Sequence, residues 1–250
     1  MTDATDAYAA SAEYLDLLIA PFWDAAGPAL AEAIRDTDAA TGPVLDIGAG
    51  SGRGTLLLGD TLPKSEIIAV EPSPGLRAAL LARLATHDAL RPRVTVLPEP
   101  LPAAELPDRL GLVIALNVIG HFPPAERRAL WNLLATRLAP GGRALLNLQP
   151  PTEPVAVPET LAATAHVGRR RYEGWARAEP VGDAILTWHM TYRTHHDGRL
   201  VAERTVSYPW YLLDETTLRA EATEAGLRAR PLGPPELGLQ VLTHSTALLA

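Results

Sequence analysis

The feature that most constrains this chain is a glycine-rich segment, Val44 to Gly54, in which glycine recurs at every second position from 48 to 54. A short apolar run leads into it, and Thr55 to Leu58 begins a predicted helix. Glycine lets a backbone turn sharply and approach a ligand closely, and a helix start presents free N–H groups. The segment therefore predicts a strand, a tight turn and a helix around a nucleotide-type ligand.

The glycine spacing distinguishes between nucleotide-binding motifs. A dinucleotide fingerprint, G-x-G-x-x-G, needs glycine where this chain has Arg53 or Thr55. A phosphate loop needs a lysine, and the only lysine, Lys64, lies outside the segment. In the remaining pattern, D-x-G-x-G-x-G, Asp46 precedes the first glycine by two residues, and a carboxylate attracts a cation and repels pyrophosphate. The spacing favours a cationic ligand over the nicotinamide cofactor of an oxidoreductase.

Four segments, taken in order, resemble the motifs of class I S-adenosylmethionine-dependent methyltransferases. They are Asp46–Gly54, Ile67–Ser73, Leu112–Asn117 and Leu138–Gly142. The resemblance implies an α/β fold with a doubly wound, Rossmann-like, seven-stranded sheet, mostly parallel with an antiparallel last strand. It also implies S-adenosylmethionine as the cofactor, and methyl transfer to an N, O or C nucleophile of a small metabolite such as a natural-product intermediate.

The resemblance assigns the cofactor site to the loop and to the strand ends after it. Glu71 follows the second predicted strand, about twenty residues after Gly52, where an acid can bind both hydroxyls of a ribose. After the third strand, Val94 to Leu97, the family usually has an acid that receives the adenine amino group. This chain has proline there, so we expect Glu99 or the backbone of Leu101 to contact the adenine. Equally, Glu99 could belong to an ordinary surface turn. The expected cofactor-binding residues are Asp46, Gly48, Ala49, Gly50, Gly52, Glu71, Pro72, Glu99, Leu101 and Asn117.

The fourth predicted strand ends in the segment Asn117 to His121. Its Ile-Gly-His sequence resembles the same point in bacterial amino-sugar N-methyltransferases, where a histidine faces the acceptor. His121 is thus the candidate general base or orienting group, and a histidine bonded to backbone at the strand end is the equal alternative. The family's amino-terminal helices also carry substrate-facing aromatics. Tyr14 is the second catalytic candidate, and Tyr8 and Trp23 come after it. The alternative is that an aromatic side chain on an amphipathic helix packs in the core.

The expected organisation is a single domain with four parts. They are a helical lid (1–41), a cofactor-binding core (42–150), an inserted substrate-pocket segment (151–210) and the end of the core sheet (211–250). The insertion contains a predicted antiparallel hairpin, Ala184–Thr194 and Leu200–Tyr208, joined through Asp197-Gly198. A two-residue turn there places Trp188 and Tyr208 on opposite faces. We expect this hairpin to wall the acceptor pocket and to pair subunits in a homodimer.

Composition limits the partners. A net charge of -7 without a basic face argues against a nucleic acid. The absence of cysteine excludes disulfides, thiolate zinc sites and cysteine nucleophiles, and the scattered histidines predict no metal site. The amino terminus has no signal pattern, and the longest apolar stretch is too short to span a bilayer. These features predict a cytoplasmic protein that binds a small molecule and no membrane.

Two alternatives share the fold. One is a cofactor-binding protein that catalyses a non-methylating reaction such as a cyclisation, since fold does not fix function. The other is a non-enzymatic subunit of a complex, against which the intact set Asp46, Gly48, Gly50, Gly52 and Glu71 argues.

Overall fold

The computed structural model describes Asp6 and residues 8–245, which form two β-sheets and the helices around them. The helices are α1 (Ala12–Leu18), α2 (Ala20–Ile34), α3 (Arg53–Thr61), α4 (Pro74–Ala85), α5 (Pro124–Arg137) and α6 (Glu215–Glu224). The strands are β1 (Val44–Ile47), β2 (Ile67–Val70), β3 (Val94–Leu97), β4 (Leu110–Ala115), β5 (Leu138–Asn147), β6 (Val157–Val167), β7 (Arg170–Gly182), β8 (Ile185–His196), β9 (Arg199–Tyr211), β10 (Leu227–Pro231) and β11 (Leu239–His244). Within the described range no single helix could cross a membrane by its length and apolarity, although the bent pair α1 and α2 meets both criteria together.

The larger sheet has the strand order β10-β11-β5-β4-β1-β2-β3. Strands β1 to β5 run parallel, and β11 is antiparallel to both of its neighbours. Every residue of β1 and β4 is buried, as expected of central strands covered on both faces. The predicted doubly wound sheet with an antiparallel last strand is confirmed. The strand order reverses beside β1, and in open α/β sheets ligands bind at such a point, which here is the carboxyl ends of β1, β2 and β4.

Helices cover both faces of this sheet. Helices α2, α3 and α4 pack on one face, and α5 and α6 pack on the other. On the second face the guanidinium of Arg127 in α5 donates two hydrogen bonds, 2.7 and 2.8 Å long, to Glu221 in α6. The indole of Trp131 also donates to Glu221, at 2.8 Å. This buried, bidentate contact fixes the two helices on the sheet.

The insertion forms a four-stranded antiparallel sheet, in the order β6-β7-β8-β9. The predicted hairpin is present as β8 and β9, but the prediction missed β6 and β7. Strand β6 is exposed along most of its length, and both ends of β7 are exposed. Such strands lack the clear apolar alternation that identifies a half-buried strand from sequence.

A bulge in β9 corrects the predicted faces of the hairpin. The turn residues Asp197 and Gly198 both have positive φ, 49° and 81°, as a two-residue hairpin turn requires. Pairing begins in the expected register and then shifts by one residue at Val201. One extra residue moves all later side chains of the strand to the other face. Tyr208 therefore lies opposite Trp188 on the same face.

Candidate active site

The glycine segment forms a tight loop between β1 and α3. Gly48, Gly50 and Gly52 have φ values of 68°, 58° and 92°, which L side chains rarely adopt. A Cβ atom at Gly48 would lie 2.8 Å from Cγ2 of Val118. The loop and the segment after β4 can therefore approach each other only because position 48 has no side chain. This contact packs the glycine loop after β1 against the segment after β4.

Glu71 ties the loop to the end of β2. Its Oε2 accepts the N–H of Gly50, and its Oε1 accepts the N–H of Ser73, both at 2.8 Å. Glu71 is only 4% exposed, and this burial raises the pKa of its carboxyl, although the two backbone N–H groups act in the opposite direction. Each carboxylate oxygen retains a lone pair for a further donor. The side chain can therefore accept hydrogen bonds from a ligand while it holds the loop.

Asp46 is a second buried acid at this edge, 3% exposed. Its Oδ2 accepts a hydrogen bond from the Thr55 hydroxyl at 2.7 Å. Burial raises the pKa of Asp46 to about 7; the bond from Thr55 opposes the rise, and the negative charge of Glu71 adds to it. A cation placed beside these two acids would favour the ionised form of Asp46. The charge of the site therefore suits a cationic ligand.

The other expected cofactor residues lie around the loop and at the end of β3. The Ala49 N–H donates to the Val70 carbonyl at 3.0 Å, and the Pro72 carbonyl accepts from the Arg77 guanidinium at 2.6 Å. Glu99 is exposed in the turn after β3, whereas Leu101 is buried in the 3-10 helix Leu101–Ala103. The β3–β4 connection contains this short turn and no α-helix.

Asn117 follows β4 and is paired with Asn147 at the end of β5. Its N–H donates to Oδ1 of Asn147 at 2.7 Å, and Nδ2 of Asn147 donates to Oδ1 of Asn117 at 2.9 Å. Asn117 has a φ of 57°, in the left-handed region that asparagine tolerates better than most residues. The pair fixes the start of the segment that leads to His121. It also occupies the Asn117 amide oxygen.

His121 lies among three aromatic side chains. The hydroxyl of Tyr8 is 2.5 Å from His121 Nε2. The ring centroids of Tyr8, Tyr208 and Trp210 lie 5.7, 5.4 and 5.0 Å from that of His121. Burial lowers the pKa of His121 to about 4, so the imidazole is neutral at pH 7. A neutral imidazole has one donor and one acceptor nitrogen, so it can orient the Tyr8 hydroxyl.

Trp210 brings the smaller sheet into contact with the segment that carries His121. It lies directly on Gly120, where a Cβ atom would be 1.9 Å from the indole ring. Only glycine allows this approach. Sequence reasoning noted this glycine as part of Ile-Gly-His, but no local signal could show that a tryptophan ninety residues later packs on it.

Tyr14 contacts side chains of the smaller sheet. It is fully buried, its hydroxyl is 3.1 Å from Oγ1 of Thr194, and its ring stacks on Tyr192 at 5.1 Å. Tyr8 makes the contact with His121 instead. The sequence analysis preferred Tyr14 to Tyr8, because no local pattern shows which of the two lies near His121. Helix α1 begins only at Ala12, so Tyr8 lies outside it.

Trp23, the third aromatic candidate, lies in α2 beside the start of α3. A Cβ atom at Gly54 would be 3.1 Å from its ring. Trp23 also packs edge-on against Phe22, with the centroids 5.6 Å apart. These contacts are those of a core side chain.

Asp16 of α1 connects the amino-terminal helix to the glycine loop. Its Oδ1 accepts the Ser51 hydroxyl at 2.7 Å and Nε of Arg53 at 2.9 Å, and it forms an ion pair with Arg83. Burial acts to raise the pKa of Asp16, but the bonds from Ser51 and Arg53 and the charges of both arginines hold it below its usual value. The hydrogen-bonded pairs are 35 and 37 positions apart in the chain, so no local pattern indicated them.

Comparisons with known proteins agree with this architecture. Residues 45–144 match the family model described as a methyltransferase domain. Among solved structures, DesVI from Streptomyces venezuelae is 18% identical with a TM-score of 0.73, over 98% of this chain and 100% of that chain. CalS10, an amino pentose methyltransferase from Micromonospora echinaspora, is 18% identical with a TM-score of 0.69, over 89% and 92% of the two chains. MtfA, a glycopeptide N-methyltransferase, is 25% identical with a TM-score of 0.56, over 86% and 84%. No curated protein matches the chain.

Proposed function

We propose that this protein, a class I S-adenosylmethionine-dependent methyltransferase that acts on a small metabolite, methylates an amine nitrogen. The neighbouring structures support nitrogen as the acceptor atom, since CalS10 is an amino pentose methyltransferase and KedS8 is a sugar N-methyltransferase. The observation that carries the proposal is the contact between Tyr8 and His121 beside the acidic site at Glu71. A tyrosine hydroxyl held by a neutral imidazole can orient an acceptor through a hydrogen bond, but it is not a strong base. A neutral amine needs this orientation and no strong base.

The residues around the glycine loop fit S-adenosylmethionine by their chemistry. The buried acids Asp46 and Glu71 suit a cationic sulfonium compound. A Cβ atom at Gly50 would meet only the Gly48 carbonyl, at 3.9 Å, so the loop is open on that side. We propose that Glu71 holds the ribose hydroxyls, with Pro72 beside it. The adenine is assigned to the backbone at Leu101, because the Glu99 side chain is exposed.

We propose that the remaining cofactor contacts come from the loop backbone at positions 48–52 and from the Asn117 turn. The bound cofactor supplies a methyl group that is already activated. The protein therefore has to align the acceptor, exclude water and manage one proton, and alignment alone can contribute about 7–11 kcal/mol.

We assign His121 an orienting role. With a pKa of about 4 its imidazole takes up a proton poorly at neutral pH. It can instead fix the Tyr8 hydroxyl, and that hydroxyl can hold the acceptor nitrogen with its lone pair directed at the methyl group. The role first considered for Tyr14 is assigned to Tyr8, because the Tyr14 hydroxyl is already paired with Thr194.

The smaller sheet is proposed as the substrate-pocket part of a single domain. Tyr208 and Trp210 on β9 lie against His121 and would wall the acceptor pocket.

The sheet also exposes Leu161 and Leu200, and its edge strands β6 and β9 have a neighbour on one side only within the described chain. We propose that the smaller sheet, through these exposed residues and edge strands, pairs two copies of the chain in a homodimer. Light scattering after gel filtration should give twice the chain mass, and a monomer at micromolar concentration would contradict it.

A panel of paired acceptors tests the function. Amino sugars and their hydroxyl counterparts would be incubated with the enzyme and methyl-labelled S-adenosylmethionine, and S-adenosylhomocysteine and labelled product would be measured. We expect product from amines and none from the matched alcohols, with loss of product in Glu71→Ala. Methylation of alcohols alone would contradict the choice of nitrogen. Conversion of a substrate without S-adenosylhomocysteine would contradict methyl transfer itself.

A further inference from the structure

The asparagine pair at the ends of β4 and β5 has amide orientations that a single backbone group determines. The N–H of Asn117 can only donate, so the Asn147 side-chain atom 2.7 Å from it must be the oxygen. The other end of the Asn147 amide is then its NH2 group, so the Asn117 side-chain atom 2.9 Å from it must also be an oxygen. The NH2 group of the Asn117 amide is therefore the end that faces away from Asn147.

This NH2 group is open to a ligand. Asn147 is only 4% exposed, and both ends of its amide are bonded to Asn117. Asn117 is half-buried, and no residue that the structure describes accepts a hydrogen bond from its Nδ2, which is not a buried atom. The buried asparagine thus holds the outer one with a hydrogen-bond donor directed outward at the ligand edge of the sheet.

Asn117 lies where the far end of the proposed cofactor would reach. Strand β4 is two strands from β2, which is about 10 Å at the usual strand spacing. Glu71, the proposed ribose acid, follows β2, and Val118 packs on Gly48 of the loop between them. A ligand that begins at Glu71 and crosses the loop therefore approaches Asn117 with its other end. In S-adenosylmethionine that end is an amino acid, which carries an ammonium group and a carboxylate.

The carboxylate of such a ligand has few donors near the loop. The backbone N–H groups at positions 48, 49, 50 and 52 are already bonded within the protein. The buried acids Asp46 and Glu71 repel a carboxylate. The nearby arginines are also engaged, Arg53 and Arg83 by Asp16, and Arg77 by the carbonyls of Glu71 and Pro72. An anionic ligand group therefore needs a donor beyond the loop, and Asn117 presents one.

We propose that Nδ2 of Asn117 donates a hydrogen bond to the carboxylate of the cofactor, and that Asn147 is the positioning residue that holds the amide in this orientation. The proposal rests on the cofactor site proposed at the glycine loop. The reverse orientation would direct the Asn117 amide oxygen at the carboxylate and repel it. Asn147 thus acts on the ligand only through the side chain of Asn117.

The experiment is calorimetric titration of the full chain with two ligands that differ only in the carboxyl group. They are S-adenosylhomocysteine and 5′-S-(3-aminopropyl)-5′-thioadenosine. A hydrogen bond to a charged group should make the wild type bind the first about tenfold more tightly. Asn117→Gly removes the donor, and glycine tolerates the φ of 57° at this position. We expect the ratio of the two affinities to fall to about one in this variant.

Asn147→Asp tests the positioning role, because an ionised carboxylate there attracts the NH2 group of Asn117 and turns the amide around. The two Asn117 donors favour the ionised form of the new carboxyl, and pH 8 ensures it. We expect this substitution also to lower the affinity ratio about tenfold. A through-space effect of the new charge would persist in the Asn117→Gly background, whereas a positioning effect disappears there. Asn132→Asp, with the same charge change at an exposed position in α5, should leave the ratio within about twofold of wild type.

A ratio that stays near ten in Asn117→Gly would overturn the carboxylate contact. An effect of Asn147→Asp that is equal with and without the Asn117 side chain would overturn the positioning role. If Asn147→Asp does not fold, NMR of the wild type gives a second test. The side-chain NH2 signal of Asn117, assigned by its loss in Asn117→Gly, should shift with S-adenosylhomocysteine and not with the analogue, and an equal response would overturn the proposal. Binding of neither ligand by the wild type would contradict the proposed cofactor site itself.

Discussion

The cofactor side and the acceptor side of this site are built in different ways. On the cofactor side, Glu71 bonds to backbone N–H groups, those of Ser73 and Gly50, two and 21 positions away. On the acceptor side, the contact between Tyr8 and His121 joins residues 113 positions apart, and it depends on side chains. The cofactor site is therefore fixed by the loop and sheet, whereas the acceptor pocket can change its side chains without disturbing that framework.

Gly120→Ala should show the difference between the two sides most strongly, by lowering methyl transfer while leaving cofactor affinity unchanged. The added Cβ would lie 1.9 Å from the Trp210 indole, so the indole or the His121 segment has to move. We expect methyl transfer to fall about 100-fold, as a misplaced acceptor wall can cost that much, and the free energy of unfolding to fall by about 1–3 kcal/mol from overpacking. The affinity for S-adenosylhomocysteine should stay within about twofold of wild type.

Gly182→Ala is the matched control, because a Cβ at position 182 would meet nothing within 4 Å. Activity and calorimetry on both variants make the test. If Gly120→Ala lost cofactor affinity as strongly as activity, the two sides would not be separable.

The same difference explains how much the sequence could predict. The larger sheet was predictable because the glycine loop and the apolar strands are local patterns, and β3 begins and ends at the predicted residues. The acceptor side was not predictable in this way. Which tyrosine contacts His121 depends on where α1 begins, and the sheet face on which Tyr208 lies depends on one extra residue at Val201. The pairing of Asp16 with the loop joins distant residues and has no local signature.

The second prediction concerns acid stability on the acceptor side. The pKa of His121 is about 4 in the folded protein, below its usual 6.5. As the pH falls through this window the unfolded chain takes up a proton and the folded chain does not, so the free energy of unfolding falls. We expect His121 to contribute a loss of about 1–2 kcal/mol between pH 7.5 and pH 5.

Urea unfolding at the two pH values checks it. His121→Asn should lose less stability on acidification than the wild type by that amount, because other titrating groups are common to both. His87→Asn, which replaces an exposed histidine, should behave like the wild type. An equal acid sensitivity of all three proteins would show that His121 is not buried in neutral form.

The third prediction concerns Asp46 on the cofactor side. Its pKa is about 7, so below pH 7 the carboxyl is mostly protonated. A cationic ligand that binds beside the ionised carboxylate must then displace this proton, which weakens binding. The affinity for S-adenosylmethionine should therefore rise about tenfold from pH 6 to pH 8 and level off above.

Calorimetric titration at three pH values measures this dependence, with Asp46→Asn as the control that should remove it. S-adenosylhomocysteine lacks the sulfonium charge, so its affinity should vary less with pH. The same slope in Asp46→Asn as in the wild type would contradict the role of Asp46.

The smallest effect is expected at Glu99, which is exposed after β3. Glu99→Gln should change the affinity for S-adenosylmethionine by less than about twofold, because an exposed carboxylate contributes little. Glu105→Gln, also exposed on this connection, serves as its control. A tenfold loss in Glu99→Gln alone would instead assign the adenine contact to that side chain.

The most direct test of the central claim is calorimetric titration of the wild type and Glu71→Ala with S-adenosylmethionine, S-adenosylhomocysteine and NAD. Removing a buried carboxylate that accepts ribose hydroxyls should weaken the first two by about 100-fold, with no binding of NAD to either protein. A circular dichroism spectrum would show whether Glu71→Ala remains folded, since Glu71 also holds the N–H groups of Gly50 and Ser73. Wild-type binding of NAD alone, or of none of the three, would contradict the assignment of the glycine loop to S-adenosylmethionine.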